Sequence, residues 1–517
     1  MFDKIRELSK NLAIYGLGDV AIQIVNFLLL RVYVHYLTPA DYGILALLGS
    51  VEAIAKLFFR WGLDGSFMRF WYDCEDGGAR QRLSSTIFFF LLGLNGLLLL
   101  ASLAAAPFVS ESLLGAPGFT PALQLVLLNT FAIGFTFIPF HVMRMQQQSR
   151  EFSALTFSRS LATLLLRIAL VVGAGLGIWG VIIADVVVTT LLMAVMLRSF
   201  LPLIRPVFSL AVLKESLSFG LPRLPHAAAQ QVMAVGDKFI LQHFRPLADV
   251  GVYSMGVSFG LTEKLFLGAF EYAWAPFYYA TSREPDGPRV FAGITTYVYA
   301  ALALLTAGLA ATGGDLLAAM VGPDYAAAAD VVTWTAVGVF FQGVYLLTSI
   351  GLNITKNTRY YPVSTILGAA INVVLNLVLI PSFGIIGAAW ANAVAYGAQA
   401  AIAFRLSQRF YPIQYETGRL ARVTAAAIIA CLTARALPEM RPVAGVLLRG
   451  STVVLVMGAL LGITGFFRAD EMRALAALRR RRPGPGVIAA TDTTELAGEI
   501  VAADLPDQPV VESRGRR

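Results

Sequence analysis

The chain has 517 residues, of which 57% are hydrophobic and 14% charged, and its formal net charge is +8. Soluble domains carry roughly 25% charged residues, so this composition excludes a soluble globular protein and points to a polytopic membrane protein. No large soluble domain fits between the apolar runs and no nucleic-acid partner is expected. Cys74 in a predicted loop and Cys431 in a predicted span support no disulfide framework.

Apolar runs near the roughly 20 residues needed to cross a bilayer recur from end to end. Read against the polar breaks, they predict an all-α fold with spans near 11–36, 42–66, 84–109, 120–143, 153–174, 178–201, 218–243, 250–276, 290–312, 328–350, 360–381, 384–406, 418–437 and 443–467, which makes 14 transmembrane helices. The first ten residues, "MFDKIRELSK", read as a cytoplasmic leader to an uncleaved helix. Positive residues near span ends are retained in the cytoplasm. With the N-terminus inside, Lys4, Arg6, Lys10, Arg69, Arg80, Arg82, Arg144, Arg150, Arg205, Lys214, Arg283, Arg289, Lys356, Arg359, Arg409 and Arg419 all fall there. The other side holds little beyond Arg245, Arg435 and Arg441, so both termini are expected in the cytoplasm. After Phe467, a basic stub and then an acidic polar segment read as a disordered tail, because too little apolar area remains to offset ordering entropy.

A shift of 207 to 208 residues lays the second half of the chain on the first. "LTPADYGILAL" (37–47) falls on "RPLADVGVYSM" (245–255), pairing Asp41 with Asp249 and Gly43 with Gly251. "GIWGVIIADV" (177–186) falls on "GIIGAAWANA" (384–393), pairing Gly177 with Gly384, Gly180 with Gly387 and Asp185 with Asn392. The same shift sets Asp19 on His226, Gln23 on Gln230, Arg31 on Lys238 and Lys56 on Lys264. Six spans per copy is an even number, so both copies enter from the same side and are related by a pseudo-two-fold along the membrane normal. The expected domains are a six-helix lobe over 1–205, a second over 206–412, a helix pair over 413–467 and a cytoplasmic tail over 468–517.

In the second span, "EAIAKLFFRWGLD" puts Glu52, Lys56, Arg60 and Asp64 at every fourth position, one stripe of a helix. Asp19, Gln23 and Asn26 share a face of the first span, and His226, Gln230 and Asp237 share one on the seventh. Polar stripes on membrane helices face a cavity or another helix. Two readings of the second-span stripe stand. It lines a wet space between lobes, or Glu52 with Lys56 and Arg60 with Asp64 are pairs that neutralise each other. Asp19 and Asp237 are candidates for coupling transport to protons. Asp185, Asn392, Asn372 and Asn376 are read as helix-to-helix hydrogen bonders, with Arg167 alone in its span.

The outer turn "YLTPADYG", the pair Asp237 and Lys238 in "VGDKFIL", "ADVGVYS", "INVVLNLVLIP" and "FGIIGAAWANAV" together resemble bacterial oligosaccharide flippases of the Wzx type, over roughly residues 1 to 410. These form the polysaccharide branch of the exporter superfamily that also holds MATE antiporters and the lipid II flippase MurJ. The resemblance implies translocation of an undecaprenyl-diphosphate-linked oligosaccharide by alternating access, with no covalent chemistry and no cofactor. It implies membrane lipids, a polysaccharide polymerase and chain-length machinery as partners. It carries a basic lumen onto Lys56, Lys264, Arg31 and Lys238, while Arg60 belongs to the same stripe as Lys56. MurJ's arginine-rich first span is not seen, which disfavours lipid II as the cargo.

A lipid diphosphate needs a wet, cationic path, since an ion in hydrocarbon costs several kcal/mol or more. A drug or organic-cation antiporter of the same fold would favour acidic groups without basic ones. A membrane glycosyltransferase or polymerase would need a sizeable outer loop with catalytic groups. The outer breaks here are short, the four His show no metal-ligand spacing, and no catalytic residue is proposed.

Overall fold

A computed structural model of the chain describes residues 30–31, 34–115 and 117–468, and no strand occurs among them. Most of the first predicted span, with Asp19, Gln23 and Asn26, and the tail beyond residue 468 lie outside the described residues. The described residues up to Thr464 form one compact unit. Ten described helices are long and apolar enough to cross a membrane, and one of them, Thr358–Phe410, holds two of the predicted spans.

Helix α1, Pro39–Arg60, begins at a capping box in which Asp41 N–H donates to Thr38 Oγ1 and Thr38 N–H to the Asp41 carboxylate. It stops at Trp61 and Gly62, both left-handed with φ 52° and 68°, and the chain restarts as α2, Leu63–Trp71. Helix α3, Gly77–Leu114, supports this break through Asn95, which donates to the Phe59 carbonyl at 2.7 Å and accepts from Trp61 Nε1 at 3.0 Å. A helix end leaves such carbonyls without intrahelical partners, and Asn95 satisfies one in a medium without water. The predicted 42–66 span is therefore two helices, with Arg60 and Asp64 on either side of the bend.

The first half continues with α4 (Thr120–Gly134), α5 (Phe137–Met145), α6 (Ser149–Ile168) and α7 (Gly177–Phe200). The second half runs α8 (Leu210–Gly220), α9 (Leu224–Phe244), α10 (Leu247–Gly260), α11 (Lys264–Thr281), α12 (Gly287–Met320), α13 (Ala329–Thr348), α14 (Ile350–Ile354) and α15 (Tyr361–Phe410). Helices α10 and α11 are joined by the 3-10 turn Leu261–Glu263. Helix α15 is two helices that meet at Gly384, with φ 57° and ψ −132°. Its repeat partner Gly177 also has positive φ, 53°, at the start of α7. A side chain in that region would meet its own backbone, so both copies turn their last helix pair on a glycine. Arg245 donates to the Pro381 carbonyl beside the turn at 3.2 Å.

The halves meet where α1 packs against α9 and α10. The largest core joins Ile44, Leu47 and Leu48 of α1 to Leu241, Val250 and Tyr253 of the second half. Lipid is as apolar as these side chains, so close packing and internal hydrogen bonds hold such an interface more than the hydrophobic effect does. Helices α16 (Thr417–Arg435) and α17 (Pro442–Ile463) pair with each other and pack on α12. Arg449 bridges Asp315 at 2.8 Å, and Arg435 Nε donates to the Ala310 carbonyl at 2.9 Å.

Candidate substrate cleft

A cavity of about 590 Å³ lies between α1 and α2 on one side and the start of α9 on the other. Lys56 and Arg60 line it from α1, before the bend at Trp61 and Gly62, and Asp64 lines it from α2, after the bend. Across the space stand Arg223, His226 and Gln230. The lining holds three cations against one carboxylate. Arg60 Nη1 donates to Asp64 Oδ2 at 3.0 Å, and Lys56 Nζ lies 2.5 Å from Glu52 Oε1. Both ion pairs expected from the sequence form, and Lys56, Arg60 and Asp64 also line the cavity. Arg60 Nε, Asp64 Oδ1 and His226 Nδ1 are buried without a partner. Buried polar atoms are usually bonded, and three on one cavity suit a polar ligand.

The remaining candidates are placed elsewhere. Lys264 is exposed at the head of α11 and does not line this cavity, and neither do Lys238 and Arg31. Arg31 is exposed, and its carbonyl lies 2.9 Å from His35 Nδ1. Asp237 follows His226 and Gln230 along α9 but is only 2% exposed. It accepts from Tyr253 Oη, from Asn392 Nδ2 at 2.5 Å and from the Lys238 N–H at 2.8 Å. Asn372 Nδ2 donates to Asn392 Oδ1 at 2.7 Å, and Asn376 donates to Asn372. Asp237 thus belongs to a buried network that ties α9, α10 and α15 together, away from the cleft cavity. The sequence reading placed it on a polar stripe because period alone does not show where along a helix the cavity ends.

Arg167 is not alone. Its Nε and Nη2 donate to Asp185 Oδ1 and Oδ2 at 2.9 and 2.6 Å, a two-pronged bridge from α6 to α7. The sequence reading also passed over Arg223, whose guanidinium lies 4.1 Å over the Phe219 ring. Its signal was the lone cation in "LPRLPH". Glu263, 3% exposed, accepts from Thr306 Oγ1 at 3.0 and 3.2 Å, and was likewise not singled out.

The fold defines an all-α, multi-pass membrane protein. A family model described as "Polysaccharide biosynthesis protein" matches residues 34–264. Among solved structures, the chain is similar to the lipid II flippase MurJ in an inward closed conformation, with TM-score 0.66 and 13% identity over 87% of this chain and 99% of that one. It is similar to a MATE transporter in complex with MaD3S, with TM-score 0.56 and 14% identity over 81% of this chain and 96% of that one. A third match is a Vibrio cholerae MATE transporter, with TM-score 0.52 and 14% identity over 78% of this chain and 97% of that one. No curated protein matches in sequence. At 13–14% identity, these solved structures share the fold of this chain.

Proposed function

We propose that the protein is a flippase that moves a polyprenyl-diphosphate-linked oligosaccharide across a bacterial inner membrane by alternating access, for polysaccharide or lipopolysaccharide biosynthesis. The observation that carries this reading is the excess of cations in the cleft, where Lys56, Arg60 and Arg223 face one space. A diphosphate would meet these groups at the level where the half-repeats join, the usual place for a substrate site in repeat-built transporters. Charge-assisted contacts to phosphate contribute roughly 1.5–3 kcal/mol each. Lys264, Lys238 and Arg31, the other candidate cations, lie outside this cavity. The proposed lobes are 1–205 and 206–412, with the helix pair 413–467 outside them and both termini in the cytoplasm. A polymerase and chain-length machinery would take the product on the far side.

An antiporter of organic cations would want an acidic cleft, and the single lining carboxylate, Asp64, is already paired with Arg60. The test is surface polysaccharide in a strain that lacks the native protein, normalised to the membrane level of each variant. Full export by a cleft stripped of its cations would refute the proposal.

A further inference from the structure

A second cavity, of about 320 Å³, lies beside the cleft among α4, α6, α7 and the Glu52 side of α1. Its size is at the lower end of small-molecule sites, roughly 300–1,000 Å³. Thr156, Arg159, Ser160, Thr163 and Arg167 stand at positions 0, 3, 4, 7 and 11 of one α6 face and form a polar stripe. The lining holds two carboxylates, Glu52 and Asp185, and two guanidinium groups, Arg159 and Arg167, of which only Arg159 has no direct partner among the described residues. Arg167 is held by Asp185 and Glu52 by Lys56, while Arg159 forms no hydrogen bond or ion pair among the described residues. Asn129 Oδ1, which also lines the cavity, is buried without a donor. The Glu52–Lys56 pair touches both spaces, since Glu52 lines this cavity and Lys56 the cleft.

We infer that this cavity is a subsite for a carboxylate-bearing sugar of the cargo. The inference rests on the flippase reading, which places the diphosphate one ion pair away at Lys56. A guanidinium fork suits a carboxylate, to which it can donate two parallel hydrogen bonds. Three hydroxyls on α6 suit the ring hydroxyls of a sugar, and a sugar hydroxyl is the donor that Asn129 Oδ1 lacks. A bare inorganic anion would use Arg159 and leave the rest of the wall without a role. The fixed Arg167–Asp185 bridge holds α6 against α7 and so sets the width of the slot.

The experiment is thermal unfolding of the purified full-length protein in detergent, titrated at constant ionic strength with D-glucuronate, D-glucose, acetate and inorganic phosphate. Glucuronate is expected to raise the midpoint more than glucose or acetate. Arg159→Gln is expected to weaken the glucuronate response at least about tenfold in apparent affinity, the loss of one charge-assisted pair. Arg159→Lys, which keeps the charge and loses the fork, is expected to weaken it about threefold or more, and it serves if the glutamine variant does not accumulate. Phosphate should stabilise through the cleft, depend on Lys56 and Arg223, and ignore Arg159. No glucuronate effect in the wild type, an equal effect from glucose or acetate, or an unchanged affinity in both Arg159 variants overturns the subsite. Loss of the phosphate response with the Arg159-dependent glucuronate response intact would instead fault the diphosphate site and leave the subsite standing.

Discussion

Gly43 and Gly251 lie against each other's helices. A Cβ on Gly43 would fall 2.1 Å from the Leu247 carbonyl oxygen, and one on Gly251 would fall 1.8 Å from that of Pro39. The two residues are repeat partners, so the contact is reciprocal, as a pseudo-two-fold passing between α1 and α10 requires. Here the halves touch backbone to backbone, so any opening on this side must separate these two segments.

Gly251→Leu cannot be accommodated with the helices in contact, and overpacking of this kind costs about 1–3 kcal/mol or more. The variant is expected to populate a conformation open on this side. The check is labelling of a cysteine placed at Ala40 by an impermeant thiol reagent, which should be faster in the Gly251→Leu background than in the wild type. Equal rates would mean that the contact is maintained by other means.

Removing the clamp tests whether the bend matters to the cleft. Asn95→Ala leaves the Phe59 carbonyl without its donor, at a loss of roughly 1–3 kcal/mol. A lower unfolding midpoint in detergent, together with reduced export, is the expected result. An unchanged midpoint would show that water or a neighbour replaces the amide.

The α6 to α7 bridge is the third target. Asp185→Asn leaves Arg167 short of a charge in a half-buried site and should lower stability by roughly 1–3 kcal/mol. Pairing it with Arg167→Met should lose less than the two single changes added together, because a missing partner is worse than a missing pair. Additive losses in thermal unfolding would argue that the two side chains act independently.

Much of the frame is legible in the sequence. Ten membrane-length helices among the described residues follow from apolar length, and Gly177 and Gly384 stand at turns with positive φ at repeat-matched positions. The cleft is only partly legible. Lys56, Arg60, Asp64, His226 and Gln230 do gather in one cavity, whereas Lys264 does not, although the repeat sets it on Lys56. The two copies break their helices at different points. The first bends at Trp61 and Gly62, past Lys56 and Arg60, while the second passes through the 3-10 turn Leu261–Glu263 just before Lys264. A 3-10 turn advances about 120° per residue against 100° for an α-helix, so equal register no longer means equal direction. Arg223 and Arg159 escaped notice for another reason. Each is a lone cation whose partner surface comes from a distant part of the chain, which periodicity within one helix cannot reveal.

The central claim is that the cations between α1 and α9 hold the diphosphate of a lipid-linked oligosaccharide. Lys56→Ala combined with Arg223→Ala removes two of the three lining cations and leaves the Arg60–Asp64 pair in place. The decisive measurement is surface polysaccharide per unit of membrane-inserted protein in a strain without the native copy, with Lys264→Ala as the comparison. Export from the double variant is expected to fall at least about tenfold, while Lys264→Ala, outside the cavity, retains most of it. Normal export from the double variant would contradict the account.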